Sequence, residues 1–343
     1  MIKYSIIIPT CSNELIKMNL SYIEKLDKPP LGKYEVIIIQ NSNDENIEKT
    51  VETFKDKIPN LRFLKEENQG LVYCRHRGAK EAQGEIICYL DDDSFVDENW
   101  LCEIEETFLD KNVIIAGGNN LPKYEVRPPK WLKYFWVETQ YGKYLDKLSL
   151  INFRNVEQKV PTWFVFGCNF IIRKDIIFKY GGFCPDTIPF NMIKYRGDGE
   201  TTLSYKLNNN GHFALFNPKI LIQHFVPSKR TTIEYFKKRG YCQGISDSFS
   251  KIRKDNGFEY YNIKPNPNIK SKKIPFLKRK YLKIVEPVLF KFYKLIKKKD
   301  YMEYLNIKSE YEKSYQEGYN YHQNEVKKDP ELLKYVLRGN FLD

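Results

Sequence analysis

The first ninety residues alternate between two hydrophobic rhythms. Tyr4 to Ile8 is an apolar run ending at Pro9 and predicts a strand. Residues 13 to 26 carry Leu15, Met18, Tyr22 and Leu26 at helical spacing. Glu35 to Ile39 is a β-branched run that stops at the polar cluster Gln40, Asn41, Ser42, Asn43, Asp44. Helical spacing returns at Ile47, Val51 and Phe54. Leu61 to Leu64 predicts a third strand, residues 71 to 83 a helix, and Glu85 to Leu90 a fourth strand. Near-continuous apolar strands separated by helices predict a mostly parallel sheet covered on both faces. Ligands of such sheets bind beyond the carboxyl ends of the strands. Pro9-Thr10, Gln40-Asn41 and Asp91–Asp93 all follow strands, so one rim should carry all three.

The pattern is irregular and aromatic from about 119 to 163. A strand near 164 to 172, a helix near 200 to 210 and a strand near 213 to 222 follow. The composition changes near 263, at a linker rich in Pro, Asn and Lys, and the rest reads as helices. The expected division is therefore 1–262, with halves 1–95 and 96–262, and an extension 263–343.

Charge adds one feature. The chain of 343 residues has a net charge of +12. Residues 270 to 299 hold twelve Lys or Arg against Glu286 alone, so the remainder is nearly neutral. That distribution argues against a nucleic-acid binder. Residues 276 to 298 place Leu277, Tyr281, Ile284, Val288, Phe292 and Leu295 on one helical side, with basic residues opposite and a break at Pro287. Such a segment suits either an anionic membrane surface or docking on the protein body. Seven scattered cysteines without a CxxC pair, and no secretory pattern, point to a cytoplasmic protein, peripheral on the inner face of the membrane if that segment binds lipid.

Asp91, Asp92 and Asp93 raise the question of chemistry. Adjacent carboxylates next to a buried strand repel one another. If the backbone stays extended, Asp91 and Asp93 face one way and Asp92 the other. Such a pair can hold a hard divalent cation, Mn²⁺ or Mg²⁺, that leaves positions open for phosphates. A solvated turn capping the next helix is the plain alternative. Phe95 and Val96 exclude an EF-hand loop; an aspartate-based phosphatase is a weak fit, with Phe95 where Thr or Val is expected.

Several stretches in order, SIIIPT, EVIIIQNSND, NQGLVYCRHRGAKEAQGEIICYLDDDS, FGCNFIIRKDIIFKYGGF, GDGETTLSYKLNNNG and NPKILIQHF, make the chain resemble family 2 inverting glycosyltransferases over about residues 3 to 250. The resemblance implies an α/β GT-A fold, Rossmann-like with a mixed, mostly parallel sheet, followed by the C-terminal helical extension. It implies a UDP- or GDP-linked sugar donor, a hydroxyl acceptor on a glycan or lipid-linked glycan, and a place in polysaccharide synthesis. Pro9, Thr10, Asn41, Asn68, Gly70, Arg75, Asp91 and Asp92 would line the donor. Asp93, with Asp91 and His224, would hold the metal. Glu200 occupies the slot of the catalytic base, with Asp198 as the second choice. A non-catalytic nucleotide- or sugar-binding protein on the same fold is the rival expectation. Of the tryptophans, Trp163 is expected in the core and Trp131 is left open between core and acceptor cleft.

Overall fold

The computed structural model describes residues 1–29, 32–261 and 299–342. The segment 276–298, on which the membrane expectation rests, lies outside them. Strand β1 (Ile2–Thr10), helix α1 (Asn13–Ile23), β2 (Lys33–Gln40), α2 (Asn46–Glu52), β3 (Leu61–Lys65), α3 (Leu71–Glu81) and β4 (Ile86–Leu90) follow the predicted alternation. β3, β2, β1 and β4 lie side by side and parallel. Their side chains are buried on both faces: Ile6, Ile8 and Ile38 pack with α1 and α2, while Ile7, Ile37 and Ile39 face α3. That two-sided burial is why these strands read as unbroken apolar runs.

Beyond β4 the sequence pattern is a poorer guide. Strand β5 (Ser94–Val96), α4 (Trp100–Thr107), β6 (Ile115–Gly117) and β7 (Asn120–Tyr124) come next. The expected irregular region then contains β8 (Val137–Glu138), β9 (Gly142–Leu145), β10 (Leu150–Phe153) and β11 (Gln158–Val160). After it come β12 (Asn169–Arg173), α5 (Lys174–Tyr180), α6 (Thr201–Asn209), β13 (Ala214–Phe216) and β14 (Ile222–Val226). The first sheet has the order β11-β13-β6-β12-β4-β1-β2-β3, and a second runs β5-β14-β7-β10-β9-β8. Two expectations change. The strand expected at 164–172 begins only at Asn169, after a 3-10 turn at Thr162–Phe164. The strand expected at 213–222 is two strands in different sheets, separated at Asn217-Pro218. Strands of three to five residues are too short to display a period.

Helix α7 (Ile233–Asp255) pairs with the long helix α8 (Lys299–Lys328), and α9 (Pro330–Val336) closes the described chain. Glycines set the α7–α8 distance. A Cβ on Gly244 would lie 2.0 Å from the Tyr315 carbonyl oxygen, and one on Gly318 2.0 Å from that of Tyr241. Without side chains there, the backbones approach closely and the tyrosines interleave. Among the described residues no helix is long and apolar enough to cross a membrane.

Candidate active site

Residues 91–94 do not continue the strand. Ser94 N–H donates to the Asp91 carbonyl at 3.0 Å, forming a turn. The expected alternation of faces therefore fails, and the three carboxylates leave in three directions. Asp91 accepts from Arg75 Nη2 at 2.9 Å. Asp92 accepts from the Thr10 hydroxyl at 2.7 Å. Asp93, buried, faces Arg230 Nη2 at 2.9 Å and His224 Nε2 at 3.2 Å. Burial alone would raise the Asp93 carboxyl, but His224 and Arg230 hold it below the usual range. Asp92 lacks a cation of its own. Burial and the neighbouring Asp93 push it up to about 7 against the Thr10 hydrogen bond.

His224 and Asp93 also answer whether a cation fits. His224 Nδ1 lies 3.0 Å from the Leu148 carbonyl, which accepts a proton held there. With Nδ1 so engaged, Nε2 is the nitrogen that faces Asp93, and a metal-ligating histidine is oriented in the same way. Asp93 Oδ1 is buried and, despite its proximity to Nε2, has no well-aligned hydrogen bond. A proton on Nε2 pairs the ring with Asp93, and in the neutral ring Nε2 and Asp93 Oδ1 would offer a divalent ion one nitrogen and one oxygen ligand. Among the described residues no group of three or more His, Cys, Asp or Glu converges. Water or phosphate oxygens would suit the remaining positions of an ion held there.

The remaining donor-side residues shape the rim. Pro9 pairs with Ile39 at the ends of β1 and β2. Asn41 donates to the carbonyls of Glu66 and Asn68 at 2.7 and 2.9 Å and accepts from Gly70 N–H at 2.7 Å. Its amide thus ties down the loop entering α3. Asn68 is exposed and binds Glu66. Gly70 has φ +139°, outside the range other residues adopt easily.

Arg75 joins the acidic turn to a second group of carboxylates. It is 2 % exposed on α3, beneath a cleft of about 760 Å³. Burial opposes its charge; Asp91, Asp186 and Glu200 more than restore it. Its guanidinium packs on Gly167, where a Cβ would lie 2.5 Å from Nη2. Glu200, just before α6, accepts from Gly167 N–H at 3.1 Å and lies 3.9 Å from Arg75 Nη1. Its side chain makes no capping bond to the helix. Asp198 is placed differently. Its carboxylate accepts from Thr202 at 2.7 Å and from Ser250 and Tyr261 at 2.9 Å each. Burial raises it, and the hydroxyls oppose the rise.

Asp186 has no counterpart among the sequence expectations. It lines the cleft near Arg75 and Glu200, and its Oδ1 is buried without a hydrogen-bond partner. Burial lifts it to about 6 against the pull of Arg75. The signals were a Gly-Gly turn just upstream and a Pro beside it, neither of which speaks for chemistry. Thr187 next to it and Ser149 across the cleft both have positive φ, a form of strain that clusters at functional sites. The structure puts Trp131, left open by the sequence, in the core, and places Trp163 at the core's edge with a face on the cleft. Trp131 is buried against Phe135 and Phe236, whereas Trp163 lines the cleft.

The site thus sets a turn of carboxylates at the end of a parallel strand, linked by one buried arginine to a second acidic group across a cleft. The family model described as glycosyl transferase family 2 matches residues 5–181, just over half of the chain. The chain belongs to glycosyl transferase family 2. It is a glycosyltransferase with a GT-A fold and C-terminal helices. It is 21 % identical over 252 residues to the glucosyl-dolichyl phosphate glucuronosyltransferase of Haloferax volcanii, covering 71 % of this chain and 76 % of that protein. It is 19 % identical over 247 residues to the succinoglycan biosynthesis protein ExoM of Rhizobium meliloti, covering 71 % and 74 %. In structure it is similar to the mannosyltransferase PcManGT from Pyrobaculum calidifontis, solved with GDP-Man and Mn²⁺. That match has a TM-score of 0.53 and 16 % identity, covering 98 % of this chain and 85 % of that one. Family membership removes the phosphatase alternative.

Proposed function

We propose that this glycosyltransferase moves a sugar from a nucleoside diphosphate donor to a hydroxyl of a glycan or lipid-linked glycan, with inversion at the anomeric carbon. The observation that carries this reading is the placement of Glu200: open to the cleft, joined through Arg75 to Asp91, and free of helix-capping duty. Glu200 would take the proton from the acceptor hydroxyl as it attacks. Asp198, enclosed by three hydroxyls, positions the start of α6 instead. Arg75 would brace the donor side by holding Asp91 and presenting buried positive charge to the diphosphate. Thr10 and Asp92 form the floor of that side, and the loop tied by Asn41 its edge. Asp93 and His224 would hold Mn²⁺ or Mg²⁺, which supplies charge neutralisation for the leaving diphosphate. Cation binding there requires Arg230 to give up Asp93 or to share it.

The relatives that act on a dolichyl phosphate-linked sugar and in succinoglycan biosynthesis support a glycan-building role. The structural relative with GDP-Man and Mn²⁺ makes that donor class and ion the first to try. The test is incubation with a panel of UDP- and GDP-sugars, with and without Mn²⁺, monitoring release of the nucleoside diphosphate. Slow ion-dependent release from one donor is expected. Binding of nucleotide without turnover of any donor, with acceptor extracts present, would overturn the transferase reading in favour of a binding protein.

A further inference from the structure

We infer that a recess beside Glu200 seats one sugar unit of the acceptor, and that Arg239 there selects a unit bearing an acidic group. The inference rests on the transferase reading above and deepens it. The recess has a volume of about 130 Å³, on the scale of a single sugar ring, and adjoins the main cleft. Trp163 and Phe166 supply apolar walls, and Glu200, Ser204, Asp146 and Arg239 supply polar ones. It touches neither Arg75 nor Asp91, so it lies on the side of Glu200 away from the expected diphosphate. Inversion requires the acceptor on that side, with its hydroxyl at the base.

Two polar groups in this recess lack partners. Ser204 is fully buried, and its Oγ has no hydrogen bond. Arg239 Nε is buried without an acceptor, and among the described residues no carboxylate lies within 4.0 Å of its guanidinium. The neighbouring acids are already engaged: Asp146 pairs with Lys147 at 3.0 Å, and Glu200 holds Gly167 N–H. Other cleft arginines have partners, Arg75 with Asp91 and Arg196 with the Ser246 hydroxyl. A guanidinium presents donors in a fork that matches a carboxylate or a phosphate. A sugar ring with one apolar face against Trp163 would bring such a group to the guanidinium of Arg239 on the recess wall. The chemistry shared by a uronate and a sugar phosphate is the anion, and the experiment separates them.

Methyl glucuronide, glucose 1-phosphate and methyl glucoside are titrated into the wild-type chain by saturation-transfer NMR, with UDP or GDP and Mn²⁺ present. At least one acidic probe should bind about tenfold more tightly than the neutral one, and whichever wins names the anion. Arg239→Gln should remove that preference, and Arg239→Lys should keep part of it, since the charge remains and the fork is lost. Trp163→Ala should weaken all three probes. Circular dichroism melts establish that each variant is folded; should Gln unfold the chain, the Lys variant carries the test. Equal binding of neutral and acidic probes, no binding of any, or a preference that survives Arg239→Gln overturns the inference. Nucleotide titration of the wild type is a separate readout. If neither UDP nor GDP binds, the transferase reading fails on its own account.

Discussion

Two sets of three carboxylates meet at the cleft, Asp91, Asp186, Asp198 and Glu200 in its lining and Asp92 and Asp93 outside it, and they are made acceptable in different ways. Asp91, Asp92 and Asp93 are consecutive in the chain, and the turn at the end of β4 separates them into three environments. One is paired with Arg75, one is pushed towards neutrality beside Thr10, and one is gripped by His224 and Arg230. Asp186, Asp198 and Glu200 come from a loop and the start of α6. Hydroxyls satisfy Asp198, a backbone N–H and Arg75 hold Glu200, and Asp186 keeps one oxygen without a partner. The difference teaches that residue type does not assign the role. The proposed function makes Glu200 the base because it opens to the cleft with one backbone N–H and Arg75 at 3.9 Å as partners, whereas Asp198 is enclosed by three hydroxyls.

Breaking the second set where it is expected to be chemical gives the largest effect. Glu200→Gln keeps an oxygen for Gly167 N–H but cannot take a proton. Transfer should fall about 10²–10⁴-fold while nucleotide binding persists, checked by turnover and by titration. Near-normal turnover would falsify the assignment of the base. Asp198→Asn sharpens the contrast. It disturbs three hydroxyl donors to a charged acceptor, so stability should fall by about 1–2 kcal/mol, read by denaturant unfolding, with transfer by the folded fraction reduced far less than in Glu200→Gln.

In the first set, Asp93→Ala should abolish the ion dependence of nucleotide binding. It also leaves Arg230 without its carboxylate, so a loss of about 2 kcal/mol is expected on chemical denaturation, less than for a fully buried pair because Arg230 is 30 % exposed. Titrations that are identical with and without Mn²⁺ in the wild type would remove the metal from the scheme. An effect that depends on pH concerns Asp92. Its carboxyl is raised in the folded chain to about 7, so the fold binds that proton more tightly than the unfolded chain does. Its contribution is therefore full below pH 4 and is lost as pH rises towards 7. Asp92→Asn should stabilise the ion-free protein at pH 8 by about 1–2 kcal/mol, reduced from the full shift because the side chain is partly exposed. The gain should vanish near pH 4. A gain independent of pH would mean the carboxyl is not raised.

The first ninety residues were legible because their strands are buried on both faces and their helices on one, so each side chain's environment repeats with the local period. Asp91–Asp93 and Arg75 were legible as motif positions within that frame. The second sheet was not, since strands as short as Val137–Glu138 and Gln158–Val160 owe their pairing to distant partners. The sequence left Trp131 open and put Trp163 wholly in the core, because aromatic side chains suit a core and a cleft equally. Asp186 and Arg239 carry no pattern of their own, and their significance comes from the partners they lack.

The sequence by itself determined the alternation of strand and helix, the polar strand ends on one rim, and the family to which the chain belongs. Only the tertiary structure decided which carboxylate is paired, which is raised and which is open, and that α7 lines one side of the cleft. Hydrophobic period is a property of neighbours along the chain, whereas charge and solvation are set by neighbours in space, often a hundred residues away.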